Sequence, residues 1–188
     1  MQQTDIEILL NDLKQSGIYI ICALPIETNN TRNIFYSGLG KINAAICAMD
    51  TIKTYNVKKL INYGSCGAIN RNLSGIIKVN KFQQHDIDCT PLGFEKGHTP
   101  YDDIQEIIFP SDRGYICASG DYFVSDNDNI STDVVDMEAY AIAKVCKKYN
   151  IEFECFKYIS DNADADAPDT WEKNCSKGFS MFIDIVKK

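Results

Sequence analysis

The chain has 188 residues, 45% of them hydrophobic and 24% charged, which suits one domain with a sizeable buried core and is too little for two ordinary ones. Its net charge of −7 argues against a polyanion-binding role, because phosphate backbones need clustered positive charge and the basic residues here are scattered. No apolar run reaches the length of a membrane span, and the N-terminus lacks the basic-then-apolar order of a secretion signal. A cytoplasmic location is therefore expected, with neither nucleic acid nor membrane as partner.

The eight cysteines stand singly at positions 22, 47, 66, 89, 117, 146, 155 and 175, with no C-x-x-C pair. Several fall inside apolar strand or helix patterns, where free cysteine behaves as a small hydrophobe, as a reducing compartment allows. With only His85 and His98 to add, no ligand spacing for zinc emerges, and no metal or cofactor is expected.

Residues 5–15 carry Ile6, Leu9, Leu10 and Leu13 at helical spacing, and Ser16-Gly17 stops that helix. Ile18 to Leu24 is a continuous apolar run, the signature of a strand buried on both faces; Pro25 ends it, and residues 28–33 read as a surface loop. Residues 42–54 place Ile42, Ala45, Ile46, Met49 and Ile52 on one helical face expected to point inward. Lys59 to Tyr63 and Ile76 to Val79 are strands, residues 83–113 read as mostly irregular, and Gly114 to Ala118 is strand again. A helix follows from Glu138 to Tyr149, then a strand from Phe153 to Ile159. A final helix from about Trp171 turns Cys175, Phe179, Phe182 and Val186 inward. Alternating strands and helices predict an α/β domain spanning 1–188, three layers deep (α/β/α) around a mostly parallel, mixed sheet, with an extra N-terminal helix at 5–15.

In such sheets ligands bind beyond the carboxyl ends of the strands. Those ends hold Glu27, Ser37-Gly38, Gly64-Ser65, the Asp136–Glu138 junction and Ser160-Asp161. The stretch SGLGKINAA at 37–45 serves equally as a tight strand-to-helix turn or as a ligand loop. It is neither a Walker A loop, having no Ser or Thr after GK, nor a dinucleotide fingerprint, having Asn43 at the third glycine position. Asp136-Met-Glu138 fits a helix N-terminus, which favours acidic residues, or a bidentate acceptor for two neighbouring hydroxyls. The acidic run 160–169 matches a calcium loop only in part: counted from Asp161, position six is Asp166 where glycine is needed, although position twelve is Glu172.

Together the ordered pieces ALPIE (23–27), SGLGKINAA, INYGSCGA (61–68), His85-Asp86, SGDYFV (119–124), DMEAYAIA (136–143) and Ile159-Ser-Asp161 resemble the purine nucleoside phosphorylase superfamily. Within it they are most similar to 5'-methylthioadenosine/S-adenosylhomocysteine nucleosidases, from Tyr19 to the C-terminus. The resemblance implies cleavage of an adenine–ribose bond without a cofactor. Asp161 would act as general acid at adenine N7 and Glu27 as general base for the attacking water. Glu138 would hold the 2' and 3' hydroxyls with Met137 under the sugar. Phe123 would stack on adenine while the Val124 backbone reads its edge, and Ser65 and Lys157 would position the water and steady the base. Trp171 would cover an apolar 5' substituent. A homodimer is also implied, in which a partner's loop including Cys89 and Leu92 completes the 5' pocket.

Chemistry supports the set independently, because an oxocarbenium-like transition state needs leaving-group protonation on one side and a nucleophile on the other. Hexameric phosphorylases of the superfamily carry a phosphate-binding Arg where this chain has Tyr63, so water is the expected nucleophile. A phosphate-dependent phosphorylase and a non-catalytic nucleoside-binding protein remain the alternatives. The chain departs from the nucleosidase pattern in a short segment between Glu27 and Tyr36, in Lys157 where Arg is common, and in Ala139-Tyr140.

Overall fold

A computed structural model of the chain describes residues 2–104, 107–110, 114–126 and 130–188. Helix α1 (Gln3–Gln15) leads into strand β1 (Ile18–Cys22), followed by the short β2 (Phe35–Tyr36) and α2 (Lys41–Thr54). Then come β3 (Lys59–Ala68), β4 (Ile76–Gln84), β5 (Ile107–Ile108), β6 (Tyr115–Ser119) and β7 (Val134–Asp136). The chain closes with α3 (Ala139–Tyr149), β8 (Glu152–Asp161), α4 (Ala167–Asn174) and α5 (Phe179–Val186). Among the described residues, no helix is long and apolar enough to cross a membrane.

The α/β class and the mixed sheet hold, and part of that sheet closes on itself. Strand β3 runs parallel to β8 and antiparallel to β7, β7 parallel to β6, β6 parallel to β4, and β4 antiparallel to β8. These five strands close on one another, with β1 and β2 extending the sheet from β3 and β5 from β4. Closure needs strands longer than the apolar runs that announce them. The run at 59–63 continues through Gly64-Ser65 to Ala68, and the run at 76–79 continues to Gln84. Strand β4 pairs with β8 through residues 76–79 and with β6 from Val79 onward, so one strand serves two neighbours. Part of the segment 83–113, expected to be irregular, thus belongs to β4 and β5.

Alternation along β1 splits the core. Ile20 and Cys22 pack with Leu10 of α1 and with Phe179, Phe182 and Ile183 of α5, while Tyr19 and Ile21 face α2 and α3. The C-terminal helix is two helices. At Gly178 between them a Cβ would lie 2.3 Å from the Tyr158 ring, so only glycine lets the chain pass β8 there. In α2 the small residues Ala44 and Ala48 are buried, whereas Ile42 is 74% and Ile46 53% exposed. Of the apolar stripe expected to face the core, Ala45, Met49 and Ile52 do pack against it, while Ile42 and Ile46 lie on its outer edge and stay exposed.

The short segment after Glu27 is tightly tied. Asn29, Asn30 and Asn33 adopt positive φ (53°, 57° and 67°), which asparagine tolerates better than most residues. Thr28 and Thr31 are buried rather than in a surface loop, and the Tyr36 hydroxyl bonds Thr28 Oγ1 at 2.6 Å and donates to the Thr31 carbonyl at 2.7 Å.

Candidate active site

The carboxyl ends of β1, β3, β7 and β8 meet around one cavity of about 250 Å³. Its lining includes Glu27, Ser65, Phe123, Val124, Met137, Glu138, Asp161 and Trp171, eight of the nine residues singled out from sequence, together with Ala23, Leu24, Leu39, Cys66, Gly67, Tyr122, Val135 and Asp136. Most of the second group sit inside the quoted motifs, so motif membership already carried their signal. No Lys or Arg lines the cavity among the described residues.

Glu27 stands in a 3-10 turn, Pro25–Thr28, that Pro25 starts directly beyond β1. The carboxylate is 3% exposed and held on both oxygens. Oε1 accepts from the Ser65 amide and from Ser65 Oγ, each at 2.7 Å, and Oε2 accepts from the Leu24 amide at 3.0 Å and Cys22 Sγ at 3.2 Å. Trp171 Nε1 donates to Ser65 Oγ at 2.9 Å.

Asp161 owes its position to an irregularity. Cys66 pairs with Ile159 but Gly67 pairs with Asp161, so Ser160 is an extra residue on β8, a bulge that re-aims the following side chain. Asp161 Oδ1 accepts from the Ala163 amide at 2.9 Å and Oδ2 lies 2.8 Å from Ser160 Oγ. Ala163 holds that amide in place from a left-handed conformation (φ 51°), and a Cβ on Gly67 would come within 2.8 Å of Asp161 Oδ1. Glycine is required there by close approach. Burial pushes the Asp161 carboxyl above the usual carboxylate range, against the two hydrogen bonds.

At the β7–α3 junction the two acids divide the roles weighed from sequence. Asp136 does the structural work: Oδ2 accepts from the Ala139 amide at 2.8 Å and from Lys157 Nζ at 2.7 Å, and Ser119 Oγ binds Oδ1. Burial would raise its pKa, but the Lys157 ammonium and these hydrogen bonds bring it below the ordinary value. Glu138 faces the cavity and accepts at Oε1 from the Gly40 amide at 2.8 Å, which gives the 37–45 turn a backbone donor at the site. Burial, reinforced by the negative charge of Asp136, pushes Glu138 up to about 8.

Lys157 is the sequence-predicted residue that does not reach the cavity. It is 1% exposed and its ammonium goes to Asp136, behind the wall. A lysine side chain carries one compact charge where arginine would offer a fork, so a single buried carboxylate satisfies it. Tyr63 is fully buried and stacks on Phe182 at 4.4 Å between ring centroids. Phe123 and Trp171 meet edge to face at 6.4 Å. Cys89 and Leu92 lie in and beside the Thr90–Leu92 turn and are not part of the lining.

The motifs are also tied to one another. Lys41 of the 37–45 turn pairs with Asp86, its amide donates to Asp121 Oδ1 at 2.7 Å, and the Asp121 amide donates to Asp86 Oδ2 at 2.8 Å. Among the described residues, no group of three or more His, Cys, Asp or Glu side chains is gathered in a way that could hold a metal ion, the 160–169 run included.

Comparison with known proteins identifies the family. The family model of the phosphorylase superfamily matches residues 14–122 and 113–186. A 5'-methylthioadenosine/S-adenosylhomocysteine nucleosidase from Buchnera aphidicola subsp. Baizongia pistaciae is 30% identical, over 99% of this chain and 82% of that protein. One of the same name from Glaesserella parasuis serovar 5 is 30% identical over 87% of this chain and 84% of its own length. Among solved structures, the Helicobacter pylori nucleosidase in complex with a pyrrolidine-based ligand superposes with a TM-score of 0.81 at 20% identity, covering 90% of this chain and 95% of the other. The Colwellia psychrerythraea nucleosidase in complex with adenine gives 0.79 at 21% identity, covering 90% and 94%. The chain belongs to the phosphorylase superfamily and, within it, to the 5'-methylthioadenosine/S-adenosylhomocysteine nucleosidases.

Proposed function

We propose that the protein hydrolyses the N-glycosidic bond of 5'-methylthioadenosine or a related adenine nucleoside, releasing adenine and a 5-substituted ribose. One observation carries this reading: three buried carboxyl groups, Asp161, Glu27 and Glu138, come from three different strand ends to a single cavity with aromatic walls. Asp161 protonates adenine N7, for which its raised pKa suits it, so the base departs neutral. Glu27, fixed by Ser65, takes the proton of the attacking water on the opposite face. Glu138 accepts the ribose hydroxyls, and those bonds tighten as positive charge develops on the sugar. Met137 packs beneath the ribose, Phe123 stacks on adenine, the Val124 backbone reads its edge, and Trp171 covers the 5' group. Lys157 steadies this set from behind, through Asp136.

A phosphorylase needs a cation for phosphate. The cavity wall contributes none among the described residues, and Tyr63 is buried away from it, which favours water. Adenine release from methylthioadenosine is therefore expected to proceed equally with and without phosphate; strict phosphate dependence would overturn the hydrolase reading. A non-catalytic nucleoside-binding protein would bind and never turn over.

Nucleoside binding should also release a proton. Glu138, at about 8, is mostly protonated at neutral pH, and hydroxyls donating to it favour the ionised form. Calorimetry at pH 7 in two buffers of different ionisation enthalpy is expected to show proton release, and its absence would remove Glu138 from the ribose.

The proposal extends to a homodimer. Ile42 and Ile46, with Leu39 (50% exposed) and Leu92 (74% exposed), present apolar surface of the kind that subunit interfaces cover. A cytoplasmic setting, with adenine returned to purine salvage, accords with cysteines that are all free.

A further inference from the structure

Trp171 Nε1 lies 2.9 Å from Ser65 Oγ, which lies 2.7 Å from Glu27 Oε1. Donor and acceptor roles in this chain are forced. An indole N–H only donates, and a serine hydroxyl has a single proton to give. With Trp171 donating into Oγ, the Ser65 proton is directed to the carboxylate, where it joins the Ser65 amide on the same oxygen. The other oxygen is already occupied by the Leu24 amide and Cys22 Sγ. Glu27 is thus held at both oxygens, and one of its clamps is set by a residue 106 positions from Ser65.

We infer that Trp171 is a positioning residue for the base: its indole N–H orients the Ser65 hydroxyl toward Glu27 and so couples the wall of the 5' subsite to activation of the water. The inference rests on the nucleosidase reading above. It assigns Trp171 a role that a phenylalanine of similar shape cannot fill. It also makes 5' recognition register in turnover, because a substituent that pushes the indole off Ser65 loosens the base. Since α4 follows the loop that begins at Asp161 and packs on β8, the same contact ties the strand bearing the acid to the strand that orients the base.

A double-mutant cycle tests this. Trp171→Phe is expected to lower kcat for adenine release about tenfold, the size of one lost hydrogen bond, with a smaller change in KM. In a Ser65→Ala background the same substitution should change kcat less than about twofold, because the group it acts through is gone. Losses that multiply in the double variant, or a Trp171→Phe effect confined to KM, would overturn the inference. A second readout needs no turnover. Trp171 is the only tryptophan in the chain, so its emission in the substrate-free protein should shift on Ser65→Ala. An unchanged spectrum refutes the contact whatever the activity, whereas a shifted spectrum in a wild type that releases no adenine refutes the nucleosidase reading and leaves the contact standing.

Discussion

Asp161→Asn is expected to lower the rate of adenine release by about 10²–10⁴-fold, the usual contribution of a positioned general acid, while nucleoside binding survives. Asparagine keeps the shape and can still accept the Ala163 amide at one oxygen, so the bulge at Ser160 and the cavity should persist. What disappears is the transferable proton. The sign of the pH dependence follows from burial, which raises this carboxyl. In the proposed mechanism the active form is protonated, so the wild-type rate should fall as pH rises through the elevated pKa, and that limb should be missing from the variant's residual activity. Steady-state kinetics across pH, paired with equilibrium binding of methylthioadenosine, would check both parts. A variant retaining more than about a tenth of the rate would remove Asp161 from the chemistry.

Lys157→Met should cause the largest loss of stability. The side chains are close in volume, so packing is kept while the ammonium paired with buried Asp136 is removed. Breaking a buried pair from one side costs about 3–5 kcal/mol, because the remaining charge cannot be solvated. For a chain of this length that corresponds to a fall of roughly 6–20 °C in Tm. The pH dependence distinguishes this from a packing defect. In the wild type the depressed Asp136 pKa contributes stability above its unfolded value, lost only as pH falls through the folded pKa. Without Lys157, burial drives Asp136 up, so the variant should lose stability as pH rises. Glu138 already contributes in that sense: its pKa of about 8 lies above the unfolded value, so its contribution is full in acid and lost as pH rises through about 8. Thermal melts across pH would show the widening gap. Adding Asp136→Asn to Lys157→Met should restore part of the loss, and a melt within a few degrees of wild type would contradict the account.

These two residues show unequally what the chain discloses before it folds. Asp161 was legible because Ile159-Ser-Asp closes an apolar run, and a strand's carboxyl end is where an α/β sheet binds its ligand. Lys157 sits in the same run, and nothing local says which carboxylate it meets; Asp136 lies on β7, which flanks β3 on the side opposite β8, and meets it only in the assembled sheet. The α2 stripe divides for a related reason. Periodicity shows that Ile42 and Ile46 share a face with Met49, but not which members of that face the core reaches: Met49 packs on it and the two isoleucines do not.

From sequence alone came the α/β alternation, the chemical groups of the site and their order along the chain, since hydrophobic period, turn residues and short motifs are local properties. Only the tertiary structure decided that five strands close on themselves, that a bulge turns Asp161 toward the cavity, and that Trp171 touches Ser65. Each depends on pairing between residues far apart in the chain, and such contacts leave no trace in any single window of residues.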